Sequence, residues 1–192
     1  MSTAAVATRV TPEQYLALER ASPTKHQYFD GRIEAMPGAS RLHNLIAINL
    51  CREISLQFED RPCEIYGSDM RVCVAPTGLY TYPDVSAVCG EPQFLDSEVD
   101  TLLNPTALIE ILSPSTEAND RGRKAANYRR LASLGELVLV AQDRARVEHY
   151  ARRGEDWLMT ELVGLDGLLR LDSIGCVVPL RRIYAKTAIS DA

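Results

Sequence analysis

Three residues carry the strongest chemical signal in this chain. Glu110 interrupts the apolar run Ala107-Leu108-Ile109-Glu110-Ile111-Leu112. Burying an ionised carboxylate there costs several kcal/mol unless it is paired or binds a metal. Asp84 follows Pro83 within the strand-like stretch Tyr82-Pro83-Asp84-Val85, although Asp is depleted from strands. Lys124 sits about two turns into the helix expected after Glu110, and Asp120, Lys124 and Tyr128 share a face at spacing i, i+4, i+8. Two carboxylates on adjacent strands suit a hard divalent cation with oxygen ligands. Such an ion polarises a phosphoryl oxygen and acidifies water, and a nearby lysine stabilises developing charge. The kit fits phosphodiester hydrolysis.

The bland reading of each residue stands beside this one. Glu110 could alternate to an exposed face, Asp84 could end a strand, and Asp120–Lys124 could be an ordinary surface pair. No competing catalytic grouping is visible. His26, His43 and His149 are scattered, and there is no Walker-type phosphate loop. A glycosidase built on paired carboxylates needs an aromatic-lined cleft, for which one Trp and three Phe are a thin supply.

The elements that must position these residues follow from pattern. Thr11-Pro12-Glu13-Gln14 starts a helix to about residue 21. Asp30-Gly31 predicts a tight hairpin turn between residues 28 and 33, and Pro37-Gly38 a break. Apolar residues at 42, 45, 46, 50, 54 and 58 predict a helix over 41–59. Strands are expected at 70–74 and 82–88, a loop at 91–104, and a strand at 107–112. A capped helix should run from Ser115 or Thr116 to about 134, ended by Gly135. A strand at 137–141, a hairpin about Arg153-Gly154 and a short helix at 180–185 complete the pattern.

This order predicts a mixed α/β domain, one central sheet flanked by helices. A loose tail over 1–10 would precede a single domain over 11–192. The 192 residues carry a net charge of −5, against a wholesale basic coat. Residues 121–153 nevertheless hold nine Lys/Arg and three acids. Arg121, Arg123, Arg129 and Arg130 flank Lys124, a stripe suited to phosphate backbones. The longest apolar run, 137–141, is far too short to span a bilayer, so no membrane partner is expected. The start of the chain lacks a secretory signal pattern. Five cysteines without CxxC spacing predict reduced thiols and a cytoplasmic location.

Tyr82-Pro83-Asp84-Val85, the block Ile109-Glu110-Ile111-Leu112-Ser113-Pro114-Ser115-Thr116, and the trio Asp120, Lys124 and Tyr128 resemble the Uma-two family of putative restriction endonucleases, within the PD-(D/E)XK nuclease superfamily. The Asp30-Gly31 hairpin, the Met36-Pro37-Gly38 break and His43 are also similar. The resemblance spans about residues 11 to 150. It implies a restriction-endonuclease-like fold with a mixed central β-sheet flanked by helices. It implies a Mg²⁺- or Mn²⁺-dependent endonuclease acting on DNA, and a homodimer. Asp84 and Glu110 would be catalytic metal ligands, joined by the backbone carbonyl of Ile111. The motif's usual lysine position holds Leu112, and the family's shift of that role to the next helix points to Lys124. Gln27 stands where the family often has Glu, and Gln27, His43, Asp120 and Tyr128 would support the site. Leu137-Val138 replaces a common Tyr-Trp pair. The alternative is a catalytically inactive relative that binds DNA or protein.

Overall fold

In the computed structural model, which describes residues 9–190, Thr11 caps α1 (Pro12–Ala21). The Thr11 hydroxyl accepts from Gln14 N at 3.3 Å and Gln14 Oε1 accepts from Thr11 N at 2.9 Å, completing the expected capping box. Residues 1–8 of the expected tail lie outside the described residues. Val10, however, is docked: its N–H donates to the Gly31 carbonyl at 3.1 Å, and Tyr28 OH donates to its carbonyl at 2.9 Å.

The hairpin of β1 (His26–Phe29) and β2 (Arg32–Ala35) turns at Asp30 and Gly31, with φ of 49° and 80°. Two positive φ values match the twist of the flanking strands. This turn fixes the register, so Gln27 lies opposite Glu34. A five-stranded sheet then runs β2-β1-β5-β4-β7, with β4 (Arg71–Val74), β5 (Leu79–Thr81) and β7 (Thr101–Leu102).

The larger sheet has six strands in the order β11-β10-β9-β8-β6-β3. They are β3 (Cys63–Gly67), β6 (Val85–Cys89), β8 (Ala107–Leu112), β9 (Glu136–Ala141), β10 (Arg146–Arg153) and β11 (Asp156–Val163). Only β8 and β9 pair parallel in it, joined by the helical crossover that parallel pairing requires. Strand alternation assigns each side chain a face. Ala107, Ile109 and Ile111 pack with α2 (Arg41–Ser55), the hairpin β12 (Leu168–Leu171) and β13 (Cys176–Pro179), and α5 (Leu180–Ile183). Leu108 and Leu112 pack on the opposite face with Ala125, Tyr128, Leu131 and Leu134. Glu110 shares that second face by parity.

Five expectations are corrected. The 41–59 helix ends at Ser55, and turns carry Phe58 into the core. The 82–88 strand starts three residues later than expected: β6 begins at Val85, and residues 82–84 link it to β5, which ends at Thr81. Pro83, which has no N–H for a ladder, sits where the chain crosses between sheets. The single helix over 115–134 is instead α3 (Glu117–Asn119), a π-helical turn (Asp120–Lys124) and α4 (Ala125–Tyr128), and Thr116 has helical dihedrals with no side-chain cap. The 91–104 loop contains β7, and the β12–β13 hairpin was not expected. Finally, Cys63 and Cys89 lie opposite each other on β3 and β6 and form a disulfide, while Cys51, Cys73 and Cys176 are free. Among the described residues, no helix is long and apolar enough to cross a membrane.

Candidate active site

Asp84 is presented by the loop between the two sheets. Its Oδ2 accepts from the Ile111 N–H at 2.7 Å, which ties the loop to the residue after Glu110. β6 pairs with β8 only up to Val85↔Ile109, so the edge of β8 beyond that point is open to this side chain. The N–H and C=O of one strand residue point to the same edge. The Ile111 carbonyl therefore turns toward the side occupied by Asp84. His43 Nε2, from the first turn of α2, lies 3.1 Å from the same Oδ2. Burial opposes a charged His43, but its hydrogen bond to Asp84 and the charges of Asp84, Glu110 and Asp120 outweigh it and raise its pKa.

Glu110 is 2% exposed, so alternation does not turn it to solvent. Its Oε1 accepts from Tyr128 OH at 2.5 Å and from Lys124 Nζ at 3.1 Å. Lys124 Nζ also lies 3.1 Å from Asp120 Oδ1. The predicted i, i+4, i+8 face thus survives the π-helical turn, a feature frequent at functional sites. Three ion pairs brace that turn. Arg121 reaches Glu117 and Glu148, and Arg123 reaches Glu34 on β2 at 2.5 Å.

Burial pushes the Glu110 carboxyl up to about 8, despite Lys124 pulling it down; Asp84 and Asp120 add to the rise. The sign of the stability effect follows. From about pH 4.5 to 8 the unfolded chain releases a proton that the metal-free folded chain keeps, so stability falls as pH rises. His43 contributes in the same sense above about pH 6.5. The urea midpoint of metal-free protein should therefore decline from pH 5 to 8, and Glu110→Gln should flatten that decline. An equally steep decline in the variant would show that Glu110 titrates as an ordinary carboxylate.

Asp84, Glu110, Ile111, Asp120, Lys124 and His43 line one cleft of about 630 Å³. The other expected residues do not enter it. Gln27 donates to Glu34 Oε2 at 2.8 Å and accepts from the Thr81 hydroxyl at 3.5 Å, behind Tyr128. Arg121 and Arg123 are engaged in the ion pairs above, so the basic stripe is not one free row. Arg129 is partly exposed and Arg130 exposed. Sequence reasoning missed Glu34, although the hairpin turn alone places it across from Gln27. It also missed the cleft residues Lys25, Ser40 and Gln142, which no local pattern marks.

Among the described residues, no three His, Cys, Asp or Glu side chains form a metal cage. The donors that face the cleft suit a different mode. The hydrogen bonds to Glu110 fall on Oε1, and the contacts to Asp84 fall on Oδ2. Glu110 Oε2 and Asp84 Oδ1 are thereby left as candidate ligands beside the Ile111 carbonyl. Mg²⁺ commonly binds through one or two carboxylates and keeps several waters or substrate phosphates, so this donor set fits it.

The mixed sheets flanked by helices, with an acidic cleft where the sheets meet, define a restriction-endonuclease-like fold. A crystal structure of a putative nuclease belonging to DUF820 from Anabaena variabilis has the same fold: TM-score 0.73, 17% identity, covering 91% of this chain and 97% of that one. Residues 12–179 match the family described as Uma2, putative restriction endonuclease, and the chain belongs to that family. It is 38% identical over 156 residues to the uncharacterized protein sll1609 of Synechocystis sp., covering 81% of this chain and 88% of that protein. To slr1290 of the same organism it is 35% identical over 177 residues, covering 92% of each.

Proposed function

We propose that this protein is a metal-dependent endonuclease that hydrolyses phosphodiester bonds of DNA. One observation carries the reading: Asp84, Glu110 and Lys124, far apart in sequence, line one cleft in a chain of the Uma2 family. Mg²⁺ or Mn²⁺ held by Asp84, Glu110 and the Ile111 carbonyl would polarise the scissile phosphate and lower the pKa of water.

The chain's own groups do the rest. The Ile111 N–H fixes the Asp84 carboxylate, and Tyr128 and Lys124 fix that of Glu110. Burial disfavours charge on Lys124, yet Glu110 and Asp120 outweigh it and hold its pKa above the usual lysine range. Lys124 therefore stays an ammonium. It orients the attacking water and stabilises phosphoryl charge, rather than acting as a base. Arg129 and Arg130 supply phosphate contacts outside the cleft, with Arg121 and Arg123 joining if they exchange their carboxylate partners for phosphate.

The test is cleavage of supercoiled plasmid in Mg²⁺ or Mn²⁺ against EDTA. Nicked and linear products that require metal are expected. DNA binding without cleavage in any divalent metal would favour the inactive, DNA-binding alternative and overturn the enzymatic reading.

A further inference from the structure

β11 ends the six-stranded sheet, and among the described residues no strand lies beside its outer backbone edge. The other edges of the two larger sheets are guarded or short. β7 has two residues, β2 presents Arg32 and Glu34, and β3 carries Glu64 and is cross-linked to β6. β11 is eight residues long and free of any cross-link, and of its two acids Asp156 sits at the strand's start while Glu161 is tied to Arg146 of β10. Its sequence, Asp156-Trp157-Leu158-Met159-Thr160-Glu161-Leu162-Val163, contains no proline, lysine or arginine. Its eight pairs with β10 run without a bulge. Leu158, Met159 and Val163 are 54%, 51% and 71% exposed, a concentration of apolar surface along one strand. A long, flat, apolar edge is a template for pairing with another strand.

We infer that β11 pairs antiparallel with β11 of a second copy of this chain, making one continuous twelve-stranded sheet across a two-fold axis. The strand's own sequence selects that partner. A two-fold axis perpendicular to the sheet keeps each side chain on its face, so residues pair only with residues of the same parity. Leu162 packs on the α2 side and Trp157 on the α4 side, which assigns the two faces. Centring the axis on Thr160 pairs all of 157–163. Thr160 then meets Thr160, Leu158 meets Leu162, and Trp157 meets Val163. Threonine pairs and aromatic–β-branched pairs are favourable cross-strand matches. Glu161 meets Met159 rather than another acid, and its carboxylate is already tied to Arg146. Asp156 falls beyond the paired stretch. Nothing in this pairing depends on the nuclease reading.

The register gives a specific test. Opposed residues have Cα atoms about 4.5–5.5 Å apart, within disulfide range, whereas residues offset by two do not. Sedimentation of the full chain should give twice the chain mass, and Leu158→Lys, at an exposed site, should return it to the monomer mass with an unchanged circular dichroism spectrum and a melting temperature that no longer depends on protein concentration. Under oxidation Thr160→Cys should cross-link to itself, mapped as a 160–160 peptide, and Met159→Cys should not. A monomer at all concentrations would overturn the proposal. So would a dimer that persists in Leu158→Lys without the 160–160 cross-link, or preferential cross-linking at 159.

Discussion

Asp84→Asn lowers the rate of metal-dependent DNA cleavage by about 10³-fold or more and leaves the fold in place. The magnitude follows from the charge removed. A metal ion contributes several kcal/mol of transition-state stabilisation, and each 1.36 kcal/mol is about tenfold in rate. Asparagine keeps the shape of the side chain, and its amide oxygen can still accept the Ile111 N–H now held at 2.7 Å. The crossing between the sheets should therefore keep its path. What is lost is the anionic oxygen that would face the cation. Single-turnover cleavage, calorimetric Mn²⁺ binding and a thermal melt on one preparation separate these effects. Near-normal cleavage by the variant would remove Asp84 from the site. A collapsed melt would make it a structural residue of the loop.

Lys124→Met destabilises the protein by about 3–5 kcal/mol, the usual cost of leaving a buried charge without its partner. Lys124 is 5% exposed and sits between Glu110 and Asp120, each 2% exposed. Methionine fills most of the space but leaves two carboxyl groups facing each other. One relief is protonation, so the loss should be larger at pH 9 than at pH 6. For a chain of this size the drop in melting temperature is on the order of 10 °C. Glu110→Gln in the same background should restore part of it, giving clear non-additivity between contacting residues. Additive effects, or a loss below about 1 kcal/mol, would show that the three groups do not share one electrostatic unit.

The burial and pairing of Glu110 were legible where local rules are strong. A carboxylate inside Leu-Ile-Glu-Ile-Leu could only be buried and paired, or turned outward, and the i, i+4, i+8 spacing put Asp120, Lys124 and Tyr128 on one face, the face that packs toward Glu110. The Asp30-Gly31 turn fixed its own register. What could not be read is what tertiary contact decides. Pro83 looked tolerable at the start of a strand, yet it marks the passage from one sheet to the other. Glu34, Glu110 and Glu148 each draw a cation from the 121–124 segment toward a different strand, and a π-helical turn replaces the regular helix that pattern predicts. The same pairs occupy two of the four arginines expected to form a free stripe. The Cys63–Cys89 bond depends on β3 lying beside β6, which spacing alone does not reveal.

The parity of β8 has a consequence for how the sheet assembles. Glu110 meets Tyr128 and Lys124 only while Ala107 lies beside Glu136 and Leu112 beside Ala141. A slip that flipped β8 over would thrust the carboxylate among Ile46, Leu50 and Val140, with no donor to greet it, and misalignment would cost several kcal/mol. Glu110 thus also vetoes wrong alignments of the central strands. A molecule whose sheet has zipped incorrectly would forfeit its stability and the cleft's arrangement together.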